Sequence, residues 1–197
     1  MLQWKRLLIG RGMAVKNLVE VLSYQRHDIL NHMQVLLGYL KLGRYEQCEE
    51  YIKRFVESTH RDSLVSALGH DELAAYLLTF NVFNKNIVLE VEIPVPFSFS
   101  RARNNMDAVC QWMISLVKAI RDHDANNQGE PSHLILRMHK EDDTLLVSTD
   151  YSGFLDAKWE ETFSVLKEEG KNCGGQLTHY ERGEGEVFTE WKIPFLT

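Results

Sequence analysis

The chain has 197 residues, 44% of them hydrophobic and 25% charged, which suits one ordinary globular core or two small ones and excludes a disordered or fibrous chain. A formal net charge of -6 argues against broad binding to nucleic acid or to an anionic membrane, so neither is expected as a partner and other proteins are. No apolar run approaches the roughly 18 residues of a membrane span, and the opening Met1-Leu-Gln-Trp-Lys-Arg breaks its apolar stretch too early for a secretory signal, so a cytoplasmic protein is expected.

From about Val15 to Leu42 there is no proline, and Leu18, Leu22, Ile29, Met33, Leu36 and Leu40 recur at steps that place them on one helical stripe, with a gap at Gln25. A second stripe through Val15, Val19, Leu30 and Leu37 widens the apolar surface beyond what one partner helix covers. Gly43 ends this helix, and a second one is predicted from about Tyr45 to Leu64, with Cys48, Ile52, Phe55 and Thr59 on one face and Glu46, Glu49, Glu50, Lys53 and Glu57 largely outside. The short break at Gly43-Arg44 makes the pair an antiparallel hairpin. Two such helices expose more apolar surface than they bury between them, and a second copy of the hairpin would complete a four-helix bundle, so a homodimer is expected.

After Gly69-His70-Asp71 the pattern changes. A helix is predicted over Glu72 to Phe83, a strand over Ile87 to Ile93, and an apolar helix over Asp107 to Asp122. His133 to His139 and Thr144 to Thr149 flank the polar turn Lys140-Glu-Asp-Asp143 as a hairpin. A helix over Glu160 to Glu169 precedes a last hairpin that pairs Gln176-Glu181 with Val187-Ile193 across Arg182-Gly-Glu-Gly-Glu186. The expected fold class is α+β: a dimerising helical hairpin over 1–68, then a sandwich over 69–197 with helices on one face of a mixed sheet. Cys48, Cys110 and Cys173 lie far apart with no CxxC spacing and read as buried free thiols, neither a disulfide framework nor a zinc site.

The stretch that carries chemistry is Arg26-His27-Asp28-Ile29-Leu30-Asn31-His32-Met33-Gln34. At about 100° per residue, His27 points roughly 160° away from Ile29 and so outward from the main apolar stripe, with Asn31, Gln34 and Gly38 on the same face. A neutral imidazole attacks phosphorus without prior deprotonation near neutral pH and forms an N–P bond reactive enough to pass the group on. Phosphoryl transfer needs chiefly in-line positioning and charge neutralisation, which a histidine on a rigid helix can supply. Asp28 is expected to hold one ring nitrogen of His27 as N–H, and Asn31 to orient phosphate oxygens or a water. The plainer reading makes His27 one of eight histidines on a solvated face. Asp28 and His32, at i and i+4, read as a weak surface pair and not as half a metal site, because no third ligand accompanies them. His60, His70, His123, His133, His139 and His179 show no ligand or triad spacing and read as structural or surface residues.

The run from Arg26-His27-Asp28 through Asn31-His32-Met-Gln34 to Gly38-Tyr-Leu resembles the phosphoacceptor helix of the sporulation initiation phosphotransferase B family, a helix type that also opens the transmitter region of citrate- and fumarate-sensing histidine kinases. The match is specific over Ser23 to Leu42, and the order of the remaining elements is similar to a kinase's ATP-binding domain. Where those kinases carry an N-L-x-x-N-A-I helix, this sequence reads Ile114-Ser-Leu-Val-Lys118-Ala119-Ile120, without either asparagine. Their D-x-G-x-G loop is similar to Asp150-Tyr-Ser152-Gly153-Phe154, where Ser152 and Phe154 take the glycine places; their glycine-rich lid is missing, and Gly174-Gly175 is a weak remnant of it or, more simply, a turn.

The resemblance implies that His27 is phosphorylated by another protein and that the chain has no cofactor of its own, with Mg²⁺ brought by the partner. It implies a single-domain response regulator as donor and a transcriptional response regulator as acceptor. It also implies docking through the helix turns around Arg26, Leu30, Gln34, Gly38 and Leu42, Leu30 reading equally as bundle core. The competing readings are a sensor-kinase transmitter with a divergent ATP site and a non-catalytic dimeric scaffold or inhibitor of a two-component system.

Overall fold

A computed structural model describes residues 2–102, 104, 106–125 and 129–196, with side chains from Leu18 onward, so the predicted role of Val15 in the second stripe falls outside the described side chains. The chain divides into two compact units, Met1–Ser58 and Thr59–Thr197.

The first unit holds α1 (Leu2–Lys41) and most of α2 (Tyr45–Ser66). Helix α1 runs further toward the N-terminus than the apolar periodicity predicts. The segment before Val15 contains no proline, and its leucines, lysines and arginines are good helix formers. Gly43, at φ 66°, takes the left-handed conformation that closes a helix, and the amide of Arg44 donates to the carbonyl of Tyr39 at 2.9 Å.

The second unit is a five-stranded sheet with three helices on one face. Its elements are α3 (Asp71–Phe83), β1 (Ile87–Glu92), α4 (Asp107–His123), β2 (Ser132–Glu141), β3 (Thr144–Ser152), α5 (Trp159–Asn172), β4 (Gln176–Arg182) and β5 (Glu186–Pro194). The strand order is β1-β2-β3-β5-β4; β1 and β2 are parallel, joined through α4, and the other pairs are antiparallel. Period-two alternation sends Leu134, Leu136, Met138, Leu145, Val147, Tyr151, Val187, Trp191 and Ile193 to the helix-covered face, where all are buried. Val65 and Leu68, at and just beyond the end of α2, join this core, which explains why the compact units divide within α2. A 3₁₀ turn at Phe99–Arg101, with no periodic signal to announce it, adds Phe99 to an aromatic cluster with Phe97 and Phe195.

Two aromatic contacts fix the helix layer. Trp112 on α4 meets Trp191 on β5 edge to face at 4.8 Å and donates its indole N–H to the carbonyl of Leu166 on α5 at 3.0 Å. On α5, Trp159 stacks on Phe163, which stacks on Tyr180 of β4. Several histidines turn out to be structural. His70 accepts the amide of Leu73 through Nδ1 and so caps α3, while His123 joins the end of α4 to Asp156 and Thr162, both at 2.8 Å. That hydrogen bond holds the Asp156 carboxyl below its usual range. Cys48 and Cys110 are buried free thiols and Cys173 is part-buried; burial pushes the Cys110 thiol up to about 12, far from reactive.

Gly170 permits the tryptophan contact, because a Cβ there would come 2.7 Å from Trp191 and 3.1 Å from Trp112. Gly170→Ala is expected to destabilise the second unit by roughly 1–3 kcal/mol through overpacking, read as a lower midpoint in urea with an unchanged slope.

Candidate functional site

The α1 surface around His27 is a polar strip. Arg26, His27, Asp28, Leu30, Asn31 and Gln34 are all exposed, Gly38 is half-buried, and Leu42 is among the most exposed apolar residues at 69%. Helical geometry turns Asn31, Gln34 and Gly38 within about 40° of His27, Leu30 and Leu42 about 60° to either side, and Arg26 and Asp28 about 100° away. Among the described residues no side chain approaches Gly38, where a Cβ would meet nothing within 4 Å.

The structure changes the expected partner of the His27 ring. Asn31 donates its Nδ2–H to His27 Nδ1 at 3.0 Å, whereas Asp28 turns to His32, with Oδ2 3.3 Å from Nε2. Spacing decides this: a residue at i+4 lies one turn above its neighbour on the same face, while i+1 points to the side. With Nδ1 accepting, the neutral His27 ring carries its proton on Nε2.

His32 is more than the surface residue its spacing suggested. Its Nδ1 lies 2.7 Å from the hydroxyl of Tyr51 on α2, and its ring packs 4.5 Å from that of Phe55. Because the Asp28 carboxylate accepts Nε2–H, His32 Nδ1 is left to accept the Tyr51 O–H, so Asp28, His32 and Tyr51 form a chain of hydrogen bonds across the hairpin. Tyr39 lies against the same tyrosine at 6.0 Å, and the Arg54 guanidinium sits over its ring at 5.9 Å. Tyr51 was missed in the sequence; its position one turn before Phe55 is the periodic signal that identifies it.

The predicted apolar stripe of α1 is not covered within the first unit. Leu18, Leu22, Ile29, Met33 and Leu40 range from 46% to 57% exposed, and Leu30, Leu37, Ile52 and Val56 are also exposed. Only Leu36 of that stripe is half-buried.

In the second unit, Asp150 lies on the exposed face of β3, while Tyr151 turns into the core and its hydroxyl donates to Asp124 at 2.7 Å, with Ser132 donating to the same carboxylate oxygen at 2.8 Å. Burial pushes the Tyr151 phenol well above its usual range, which keeps it a donor. On α4, Ile114, Leu116, Val117, Ala119 and Ile120 are buried apolar residues of the core. Beside Phe154 a cavity of about 470 Å³ is bounded by Glu184 and Glu186, and the lining Arg182 is bound to Glu160 at 2.6 Å. Among the described residues no group of three histidine, cysteine, aspartate or glutamate side chains could hold a metal ion.

Two family models cover nearly all of these elements. "Sensor_kinase_SpoOB-type, alpha-helical domain" matches residues 11–68, and "Sporulation initiation phospho-transferase B, C-terminal" matches residues 69–194. The chain belongs to the sporulation initiation phosphotransferase B family. Sporulation initiation phosphotransferase B of Bacillus subtilis (strain 168) is 34% identical over 76 residues, 39% of this chain and 40% of that protein, so the aligned stretch spans about two fifths of that relative's length. Among solved structures, the histidine kinase AdeS of Acinetobacter baumannii is 11% identical with a TM-score of 0.48, covering 87% of this chain and 98% of that one. The catalytic domain of the histidine kinase ThkA is 19% identical with a TM-score of 0.47, over 68% and 91% of the two chains. Among the described residues no helix is long and apolar enough to cross a membrane.

If the Asp28–His32–Tyr51 chain ties the hairpin of this phosphotransferase-family member together, removing its far end weakens it. Tyr51→Phe is expected to lower stability by about 1 kcal/mol, the worth of one part-buried hydrogen bond, measured by urea denaturation.

Proposed function

We propose that the protein is a phosphorelay phosphotransferase that takes a phosphoryl group from the aspartate of one response regulator onto His27 and passes it to the aspartate of a second. The observation that carries this reading is an exposed histidine on a rigid helix, with its Nδ1 held by Asn31 and a polar strip free on either side of it. Family membership supports the transfer of a phosphoryl group in the initiation of sporulation.

The ring reacts through Nε2, because Nδ1 is the nitrogen engaged by Asn31. Turning the Asn31 amide over presents Oδ1 in place of Nδ2, which accepts an Nδ1–H and leaves the Nε2 lone pair free. That lone pair attacks phosphorus as the aspartyl C–O–P linkage opens at the P–O bond, and the regulator's carboxylate leaves. The phosphorylated ring keeps its Nδ1 proton on Asn31, and the same positive charge makes the ring a good leaving group when a second aspartate attacks. Asp28 acts indirectly, by holding His32. Mg²⁺ belongs to the regulator, whose carboxylates supply the hard oxygen ligands it prefers.

Regulators would dock along the strip from Arg26 and Leu30 through Gln34 and Gly38 to Leu42. The bare backbone at Gly38 favours this, since a helix-interior glycine costs roughly 0.5–1 kcal/mol relative to alanine and no described residue requires it. The exposed apolar stripe has a different occupant, a second copy of the hairpin, because Leu22, Ile29, Met33 and Leu40 form a continuous face suited to a four-helix bundle. The second unit is proposed not to use ATP: the two positions that bear asparagines in kinases are the buried Ile114 and the exposed Lys118, Tyr151 fills the space beside Gly153, and acidic side chains border the nearby cavity.

Incubation of wild type and His27→Ala with radiolabelled ATP, and separately with a phosphorylated single-domain response regulator, tests the transfer. Acid-labile label is expected on the wild type from the regulator alone. Label taken directly from ATP makes the protein a kinase, and no label from either source makes it a scaffold. Sedimentation at micromolar concentration is expected to give a dimer, and a monomer would remove the bundle.

A further inference from the structure

The edge of a β-sheet offers a row of N–H and C=O groups to any extended chain that meets it. β1 is such an edge and pairs with β2 alone. The amide of Ser132 donates to the carbonyl of Asn86 at 2.8 Å, and along a parallel ladder the groups of alternate residues point the same way. Asn86, Val88 and Glu90 therefore turn their backbone groups to β2, while Ile87, Leu89 and Val91 turn theirs outward. The composition of the strand invites addition, because Ile87, Val88, Leu89 and Val91 are all apolar, three of them β-branched.

The middle of that outward edge is already taken. Asn81 lies in the last turn of α3, about 40° around the helix from the buried Leu77 and 100° from the buried Phe80, at the margin of the face that packs on the sheet. Its Nδ2–H donates to the Leu89 carbonyl and its Oδ1 accepts the Leu89 N–H, both at 2.8 Å. One carboxamide thus makes both of the bonds that a residue in a neighbouring strand would make. The rest of the sheet's rim is treated in kindred ways. Pro94 and Pro96 follow β1 and have no N–H to offer. Beyond Lys192, where β4 stops pairing with β5, Asn104 donates to the Pro194 carbonyl at 2.9 Å and accepts the Leu196 N–H at 3.1 Å. On β4 the ladder shifts register between Leu177 and His179.

We propose that Asn81 is an edge lock: its carboxamide takes the place of a sixth strand and keeps β1 from pairing with β1 of a second copy of the chain. Antiparallel pairing centred on Leu89 would set Ile87 against Val91, Val88 against Glu90 and Asn86 against Glu92. No like charges oppose each other in that register, so charge gives no protection and a hydrogen-bonding block has to supply it. Both ends of the carboxamide are needed, since one bond uses its donor and the other its acceptor.

Amide hydrogen exchange followed by NMR, with sedimentation, tests the lock on the full chain. In the wild type the outward-facing Leu89 amide is expected to exchange within about tenfold of the Val88 amide, which faces β2; exchange at the rate of a free edge amide would overturn the proposal without any variant. In dilute Asn81→Ala, Leu89 is expected to exchange at least tenfold faster while Val88 keeps its rate. At higher concentration this variant is expected to form species larger than the wild type forms under the same conditions. Asn81→Ala combined with Val91→Pro, which removes an outward N–H that β2 does not use, is expected to return to the wild-type size. An unchanged Leu89 rate, equal acceleration of Leu89 and Val88, wild-type size for Asn81→Ala at every concentration, or larger species that persist with Val91→Pro would each overturn the proposal.

Discussion

The period of the α-helix governs the first unit. At 3.6 residues per turn, α1 presents one side to α2 through His32 and Tyr39, a broad apolar side through Leu22, Ile29, Met33 and Leu40, and a third, polar side at His27. For the proposed transfer, an acceptor histidine on a loop would have to be ordered each time. On this rod the ring direction follows from the backbone, and Asn31 one turn away sets which nitrogen is engaged. The same geometry explains why Asp28 and His27 do not meet although they are adjacent in sequence.

The second unit is held by size complementarity in its helix layer. Trp112 and Trp191 meet over Gly170, and Tyr151 reaches Asp124 beside Gly153. Large side chains thus occupy the layer between sheet and helices, and the Trp112 indole N–H and the Tyr151 hydroxyl find partners there, at Leu166 and Asp124. The open face of the sheet is built differently, with Arg137, His139, Ser148 and Glu190 around Pro94, Leu146 and Phe188.

Most of the architecture was legible in the sequence because both periodicities were strong. The alternation in β2, β3 and β5 and the three-four spacing of α1 and α2 survive intact in the structure. The turn at Phe99–Arg101 was not legible, since it is short and held by contacts with distant Phe97 and Phe195. At the candidate site, His27 and Asn31 could be placed on one face by arithmetic alone, but the bond between them and the turning of Asp28 to His32 depend on side-chain reach. Tyr51 was hidden for a further reason: its meaning comes from α1, and one-helix periodicity cannot report a hydrogen bond to another helix. The roles of His70 and His123 were equally invisible, because each depends on groups brought close by the fold, the start of α3 for one and Asp156 with Thr162 for the other.

Gly38 sits on the outward side of α1, about three turns from His27, with open space where a side chain would stand. Its missing side chain leaves a shallow notch in an otherwise regular cylinder, and a notch works as a ruler. Under the proposed relay, a regulator that seated a bulky side chain there would have its height along the helix fixed, and with it the distance from its own aspartate to the imidazole. Two regulators with different sequences would then need to share little else than that spacing to deliver and collect a phosphoryl group at the same nitrogen.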